Sequence, residues 1–301
     1  MLTSHAPPAP AIGIGTEGAP RPWMHSRAEV GVGWLNGVRT DVNNPGWLFM
    51  DFRWMPIPGL ELGASRVGIF GGEDRPRPKL GQLLLPTDPH VYDDPDGLLP
   101  DQDEIAALDA RVNLPLDRWL GVSSIRYLEF WWQYGAEDII AIDTLGIRYP
   151  SLAGIANLYG AELALRDWSI TAEGTRIFDD YFRWYTGHRI YHDGFTRNHT
   201  NMAHWLGGDT VSGWLSVTWL PEAHGVEFWG EQVTRIGVIE NLDDRMFTLM
   251  AEEEILRFGV RGWKARQDGG WWRLSIGAEE IRGENFVPGT HSWRWRVALE
   301  G

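Results

Sequence analysis

Residues 48–65 read LFMDFRWMPIPGLELGAS, and this stretch decides the fold. Leu48, Met50, Phe52 and Trp54 alternate with Phe49, Asp51 and Arg53. A period of two marks a strand with two unlike faces, because successive side chains point to opposite sides. Pro56-Ile57-Pro58-Gly59 then reads as a tight turn, since proline presets φ and glycine takes backbone conformations closed to other residues. Leu60, Leu62 and Ala64 resume the apolar face against Glu61, Gly63 and Ser65. The stretch is a hairpin with one apolar and one polar face.

The same grammar runs outward. Tyr159, Ala161, Leu163 and Leu165 lead through Arg166-Asp167 into Trp168, Ile170 and Ala172, which alternate with Ser169, Thr171 and Glu173. Val211 to Trp219 turns at Pro221 to Gly225 into Val226 and Phe228, alternating with Glu227 and Trp229. Trp272, Leu274, Ile276 and Ala278 face away from Arg273, Ser275, Gly277 and Glu279, and Trp293, Trp295, Val297 and Leu299 face away from Arg294 and Arg296. The segment from Asp243 to Phe258 mixes helix formers with a strand pattern of Phe247, Leu249 and Ala251, and is taken as a strand.

This gives about a dozen strands, many of about 10 residues, the length that crosses an outer membrane at a tilt. Longer polar segments at 71–104, 138–154, 179–210 and 239–245 separate them. Short turns alternating with long loops are the asymmetry of outer-membrane barrels. The expected fold is therefore all-β, an antiparallel up-and-down transmembrane β-barrel over residues 28–301. An incomplete or shortened version of a larger barrel fits the same pattern. A soluble β-sandwich or propeller with an Arg-rich outer face is the alternative. Residues 1–27, rich in Pro, Ala and Gly to residue 22, are expected to be a flexible lead-in. They show no basic region followed by an apolar core, so no signal peptide is read in this chain.

Composition narrows the function. Among 301 residues there is no Cys, which excludes disulfides and thiolate metal sites. The net charge of -14, with Lys79 and Lys264 as the only lysines, argues against nucleic acid as a partner. Arg without Lys on the polar faces suits bidentate pairing with carboxylates in a partly desolvated lumen. The 18 Trp divide by position. Trp54, Trp168, Trp219, Trp272, Trp293 and Trp295 sit near strand ends on the apolar face, as anchors at a lipid interface would. Trp184 and Trp205 fall in the polar segment 179–210, where an indole offers a stacking face to a sugar.

That segment is the densest cluster of candidate chemistry. His188, His192, His199 and His204 stand among Asp179, Asp180, Asp193 and Asp209. The spacing lacks a helical H-E-x-x-H frame, so no metal site is expected. No G-x-S-x-G elbow and no phosphate-binding glycine loop occurs either, so neither catalytic residues nor a cofactor are expected. Aromatic residues beside Arg189, Asp193 and Asn198 suit sugar binding by ring stacking and bidentate hydrogen bonds. They suit an interfacial aromatic girdle as well.

Three motifs, in order, carry a family resemblance. Leu60-Glu-Leu-Gly-Ala-Ser-Arg66 is followed by Phe70-Gly-Gly-Glu73-Asp-Arg75-Pro76; then comes Trp131-Trp-Gln-Tyr-Gly-Ala-Glu137-Asp138. The third is Tyr185-Thr-Gly-His188-Arg-Ile-Tyr191-His-Asp193-Gly-Phe195 with His204-Trp-Leu-Gly-Gly-Asp209-Thr210. Over about residues 45–300 the chain resembles the Wzi-type capsule assembly proteins. The resemblance implies a non-catalytic outer-membrane lectin that binds capsular or other extracellular polysaccharide and helps retain it at the cell surface. Outer-membrane lipid is then the other partner. It implies a chain longer at its start, so the missing signal peptide reads as a missing beginning. Its motif-bearing or polysaccharide-binding positions are Arg66, Glu73, Arg75, Trp184, Tyr185, His188, Tyr191, Asp193, His204, Trp205 and Asp209. A pore or barrel enzyme, and a soluble carbohydrate-binding protein, remain the other functional readings.

Overall fold

The computed structural model describes residues 11–21, 24–36, 39–79, 83, 102–121, 123–144, 147–177, 190, 193, 196–197, 200–201, 208–221, 224–241, 246–265 and 270–300. Thirteen antiparallel strands follow one another in a single up-and-down sheet. They are β1 (Ala11–Arg21), β2 (Met24–Trp34), β3 (Gly46–Ile57), β4 (Leu60–Phe70), β5 (Gln102–Leu114), β6 (Ile125–Thr144), β7 (Ile147–Leu165), β8 (Trp168–Ile177), β11 (Thr210–Trp219), β12 (His224–Asn241), β13 (Met246–Ala265), β14 (Trp271–Arg282) and β15 (His291–Glu300). Between β8 and β11, β9 (Thr196–Arg197) and β10 (Thr200–Asn201) pair only with each other. A short turn of helix, α1 (Leu116–Leu120), joins β5 to β6.

The founding hairpin forms as read. β3 pairs with β4 from Gly46↔Phe70 to Ile57↔Leu60, with a register shift between Trp54 and Ile57, so the Pro-Ile-Pro-Gly turn narrows to Pro58-Gly59, with Gly59 at φ 85. The segment from Asp243 to Phe258, taken as a strand, is strand from Met246 and runs on to Ala265. Three boundaries change. Residues 11–34 form the paired strands β1 and β2, not a lead-in ending at 27. Alternation through Ile12, Ile14, Val30 and Val32 outweighs the small residues between them. The expected loop at 138–154 is largely strand, with β6 and β7 separated by residues 145–146. Ile139, Ile140, Ile142, Thr144 and Ile147 are β-branched, a residue class that favours strand. Likewise β12 runs on to Asn241.

The chain divides into two compact units. The first comprises Met1–Ala110, Gln133–Asn157 and Ile177–Gly208. Its apolar cluster holds Leu35, Val42, Val67, Ile69, Ile105, Ala156 and Ile177, with Trp47, Phe49 and Ile190 packed against it. The second comprises Arg111–Trp132, Leu158–Arg176 and Asp209–Gly301.

In this second unit one face of β12 to β15 is apolar and exposed: Phe228, Leu256, Phe258, Trp272, Leu274, Ile276, Trp293 and Trp295 all lie open. The other face is a ladder of alternating charge. Glu231, Arg257, Glu279 and Arg294 stand opposite one another across four strands. Arg257 reaches Glu231 at 3.2 Å and Glu279 at 2.5 Å, while both acids are about 5% exposed. Each carboxylate thus leaves water only in company with a guanidinium.

The tryptophans include a third class that the strand-end and loop groups omit. Trp229 lies on the polar face over Gly259, where an added Cβ would meet its ring at 2.9 Å and the Ile276 carbonyl at 2.6 Å. Trp263 covers Gly225, its partner in register, in the same way. Trp295, assigned to a strand end, sits in the middle of β15.

Candidate functional site

In the first unit three connections meet: residues 35–45 between β2 and β3, residues 71–79 after β4, and the described residues 190 and 193 of the β8–β11 connection. The first of these reads Arg39-Thr-Asp-Val-Asn-Asn-Pro45, a run of turn formers closed by the Leu35 amide donating to the Pro45 carbonyl at 2.9 Å. Asn44 takes φ 48, a left-handed conformation that Asn tolerates because its side chain can bond locally.

Arg39 and Asp41 are the anchor. The Arg39 Nε and Nη2 donate to the two Asp41 carboxylate oxygens at 2.8 and 2.7 Å, with side chains 1% and 0% exposed. Asp41 also accepts the Val42 amide at 2.6 Å and the Asp193 amide at 2.9 Å. In return, the Asp193 carboxylate accepts the Thr40 amide at 2.5 Å and the Thr40 hydroxyl at 2.6 Å. Two segments about 150 residues apart are therefore clasped by reciprocal carboxylate–amide bonds.

Glu73 ties in the third connection. Its amide donates to the Asn43 carbonyl at 3.0 Å, and its carboxylate accepts the side-chain amides of Asn43 at 3.2 Å and Asn44 at 3.0 Å. The Gly71-Gly72-Glu73-Asp74 turn needs positive φ at 58, 112 and 62 for Gly71, Gly72 and Asp74. A Cβ on Gly72 would collide with Val42 and come within 2.9 Å of the Asn43 carbonyl, so glycine permits this approach. The result is a cleft of about 430 Å³ lined by Asp41, Val42, Asn43, Glu73, Asp74, Arg75 and Ile190. Its rim offers carboxylates, amides and a guanidinium, the groups that hydrogen-bond vicinal hydroxyls.

Of the positions expected from sequence, Glu73, Arg75 and Asp193 come together here. Arg66 does not. It pairs bidentately with Glu104 of β5 and donates through Nη1 to the Leu83 carbonyl at 3.0 Å, pinning β4 to β5. Asp209 belongs to the second unit, buried, at φ 54, its carbonyl accepting the Ile236 amide at 2.9 Å. Trp184, Tyr185, His188, Tyr191, His204 and Trp205 lie outside the described residues. Sequence reading missed Arg39, Thr40, Asp41, Asn43 and Asn44. The D-V-N-N-P-G run signals a turn, but nothing in it signals proximity to Asp193.

A family model described as capsule assembly protein Wzi matches residues 21–293. No curated protein matches the chain. A solved structure described as Wzi, an outer membrane protein involved in group 1 capsule assembly in Escherichia coli and a carbohydrate binding β-barrel, is similar with a TM-score of 0.58 at 17% identity. The match covers 91% of this chain and 53% of that one, so the chain spans about half the length of that relative. The likeness is one of fold.

Proposed function

Because the chain belongs to the family of capsule assembly protein Wzi, we propose that it is an outer-membrane β-barrel whose long-loop end binds extracellular or capsular polysaccharide without catalysis. The observation that carries this reading is the clasped cleft of Asp41, Asn43, Glu73, Asp74 and Arg75. A sugar chain needs several fixed donors and acceptors at once. Preorganising them through Arg39 and Asp193 lowers the ordering cost of binding. Non-catalytic binding is supported by how the acids are used. Both Asp41 oxygens accept from Arg39 and both Asp193 oxygens accept from Thr40, so these carboxylates serve as struts.

Membrane insertion is supported by the open apolar face of β12 to β15. In water such a face would be an aggregation site; against lipid it is the required surface. On the opposite face the Glu231–Arg257–Glu279 ladder suits a lumen. This disfavours the soluble readings.

The test is a glycan array of capsular polysaccharides probed with the chain in lipid nanodiscs, beside Asp193→Ala and Glu73→Gln. Binding by the wild type and its loss of about tenfold in affinity in each variant is expected, equivalent to ~1.4 kcal/mol. Failure of the wild type to retain any polysaccharide, or undiminished binding by both variants, refutes the lectin reading.

A further inference from the structure

A second cavity lies wholly within the second unit, beside the short turns joining β11 to β12 and β13 to β14. It holds about 550 Å³ and is lined by residues including His224, Glu227, Arg261, Trp263, Trp271 and Arg273. Register explains its floor. Gly225, Trp263, Arg273 and Glu300 stand opposite one another across β12 to β15. One step along the strands on the same face, Glu227, Arg261 and Ser275 form the next row.

Each row fixes one kind of contact. Gly225 has no side chain, so the Trp263 indole lies where a Cβ on Gly225 would stand, and the same indole lines the cavity. Arg261 Nη1 donates to Glu227 at 3.0 Å, holding an acceptor and a set of donors in fixed relation. Arg273 stacks on the Trp271 ring at 4.4 Å from its centroid and donates to Glu300 at 3.3 Å. Glu227 pairs with Arg261, and Glu300 pairs with Arg273 from outside the lining, so each guanidinium at the cavity has its own counter-charge. The Glu227 side chain is 12% exposed and Arg261 41%, so the acid is withdrawn from solvent while the guanidinium stays open.

An aromatic plate beside paired, directional, charge-neutral hydrogen-bonding groups is complementary to a pyranose. Its axial C–H face packs on the indole while its hydroxyls find Glu227 and Arg261. A flat apolar ligand would waste the charged row, and a phosphate would meet Glu227. We infer that this cavity is a saccharide subsite for an uncharged pyranose unit, separate from the loop cleft. It builds on residues the loop-end reading does not use, and it stands or falls independently of that reading.

The test uses the full chain in nanodiscs with methyl α-mannopyranoside, methyl β-galactopyranoside and methyl β-glucuronide as probes, read by saturation-transfer difference NMR and indole fluorescence. The expected result is saturation of ring protons of an uncharged glycoside, retained in Trp263→Phe, which keeps a ring on Gly225. Trp263→Ala and Glu227→Gln each weaken it about tenfold. Asp193→Ala leaves it unchanged. Heat-modifiable gel mobility identifies variants that fold. The inference is overturned if no glycoside receives saturation, if the glucuronide alone does, if folded Glu227→Gln binds like wild type, or if Asp193→Ala abolishes the signal.

Discussion

Replacing Arg39 by Met tests the clasp that builds the loop cleft. The Arg39 guanidinium is 1% exposed and is bidentate to Asp41, which is 0% exposed. Methionine keeps the volume of the stem and removes both donors. Asp41 is then a buried carboxylate left with the Val42 and Asp193 amides. Breaking one side of a buried pair costs about 3–5 kcal/mol, because the remaining charge has lost its compensation. The strands of the sheet need not yield; the cheaper response is for the connections to open so that Asp41 regains water. Hydrogen exchange by mass spectrometry reads this directly. Peptides covering the Thr40, Val42, Glu73 and Asp193 amides should exchange at least about a hundredfold faster, since each 1.36 kcal/mol is a factor of ten. Arg39→Met combined with Asp41→Asn removes the orphaned charge and should recover part of the protection. Exchange within about threefold of wild type in Arg39→Met, a change of less than ~1 kcal/mol, would show that the pair is not what holds the cleft and refute the reasoning.

Other expectations follow from the same contacts. Gly72→Ala places a methyl against Val42 and the Asn43 carbonyl at φ 112, so it should accelerate exchange at the Asn43 and Glu73 amides and weaken polysaccharide retention; an unchanged exchange pattern would contradict the close approach. Arg257→Met leaves Glu231 and Glu279 facing each other at about 5% exposure and should cost about 3 kcal/mol in urea unfolding from bilayers, with Arg257→Met/Glu231→Gln partly restored. Ile276→Arg, on the open apolar face, should cost about 2–4 kcal/mol of folding into lipid, whereas Leu299→Arg, on the same face at the end of β15, should cost about 1 kcal/mol or less. Equal costs at the two positions would mean that this face does not cross the hydrocarbon.

The hairpin at 48–65 was legible because period and turn chemistry are local. So was most of the strand order, since each strand pairs with the next in sequence from β1 to β8 and from β11 to β15. The error at 138–154 came from reading polar residues as loop, where Ile139, Ile140 and Ile142 sustain strand through the acids. The error at 1–27 had the opposite source, because Gly13, Gly15 and Gly18 dilute an alternation that pairing with β2 still uses. For the cleft, sequence named Glu73, Arg75 and Asp193 through family motifs, but Arg39, Thr40 and Asp41 carry no chemical signature of their own. Their role exists only through Asp193, about 150 residues away, and a pairing that distant leaves no mark in spacing. Arg66 and Asp209 were singled out by the same motifs yet anchor strands, which residue type alone does not distinguish from binding.

The glycines under Trp229 and Trp263 bear on how such a chain can drift. At 259 the Ile276 carbonyl, 2.6 Å from an added Cβ, closes substitution whatever stands at 229, whereas at 225 a side chain would occupy volume filled by the Trp263 indole and is shut out only while that ring is present. Losing the ring first opens the position, and losing the glycine first does not. The two sites therefore have a forced order of change, and relatives are expected to replace Gly225 only where position 263 has already lost its indole. Over long divergence this makes the polar face a set of linked letters, while the open apolar row, where one apolar residue replaces another freely, loses its spelling first.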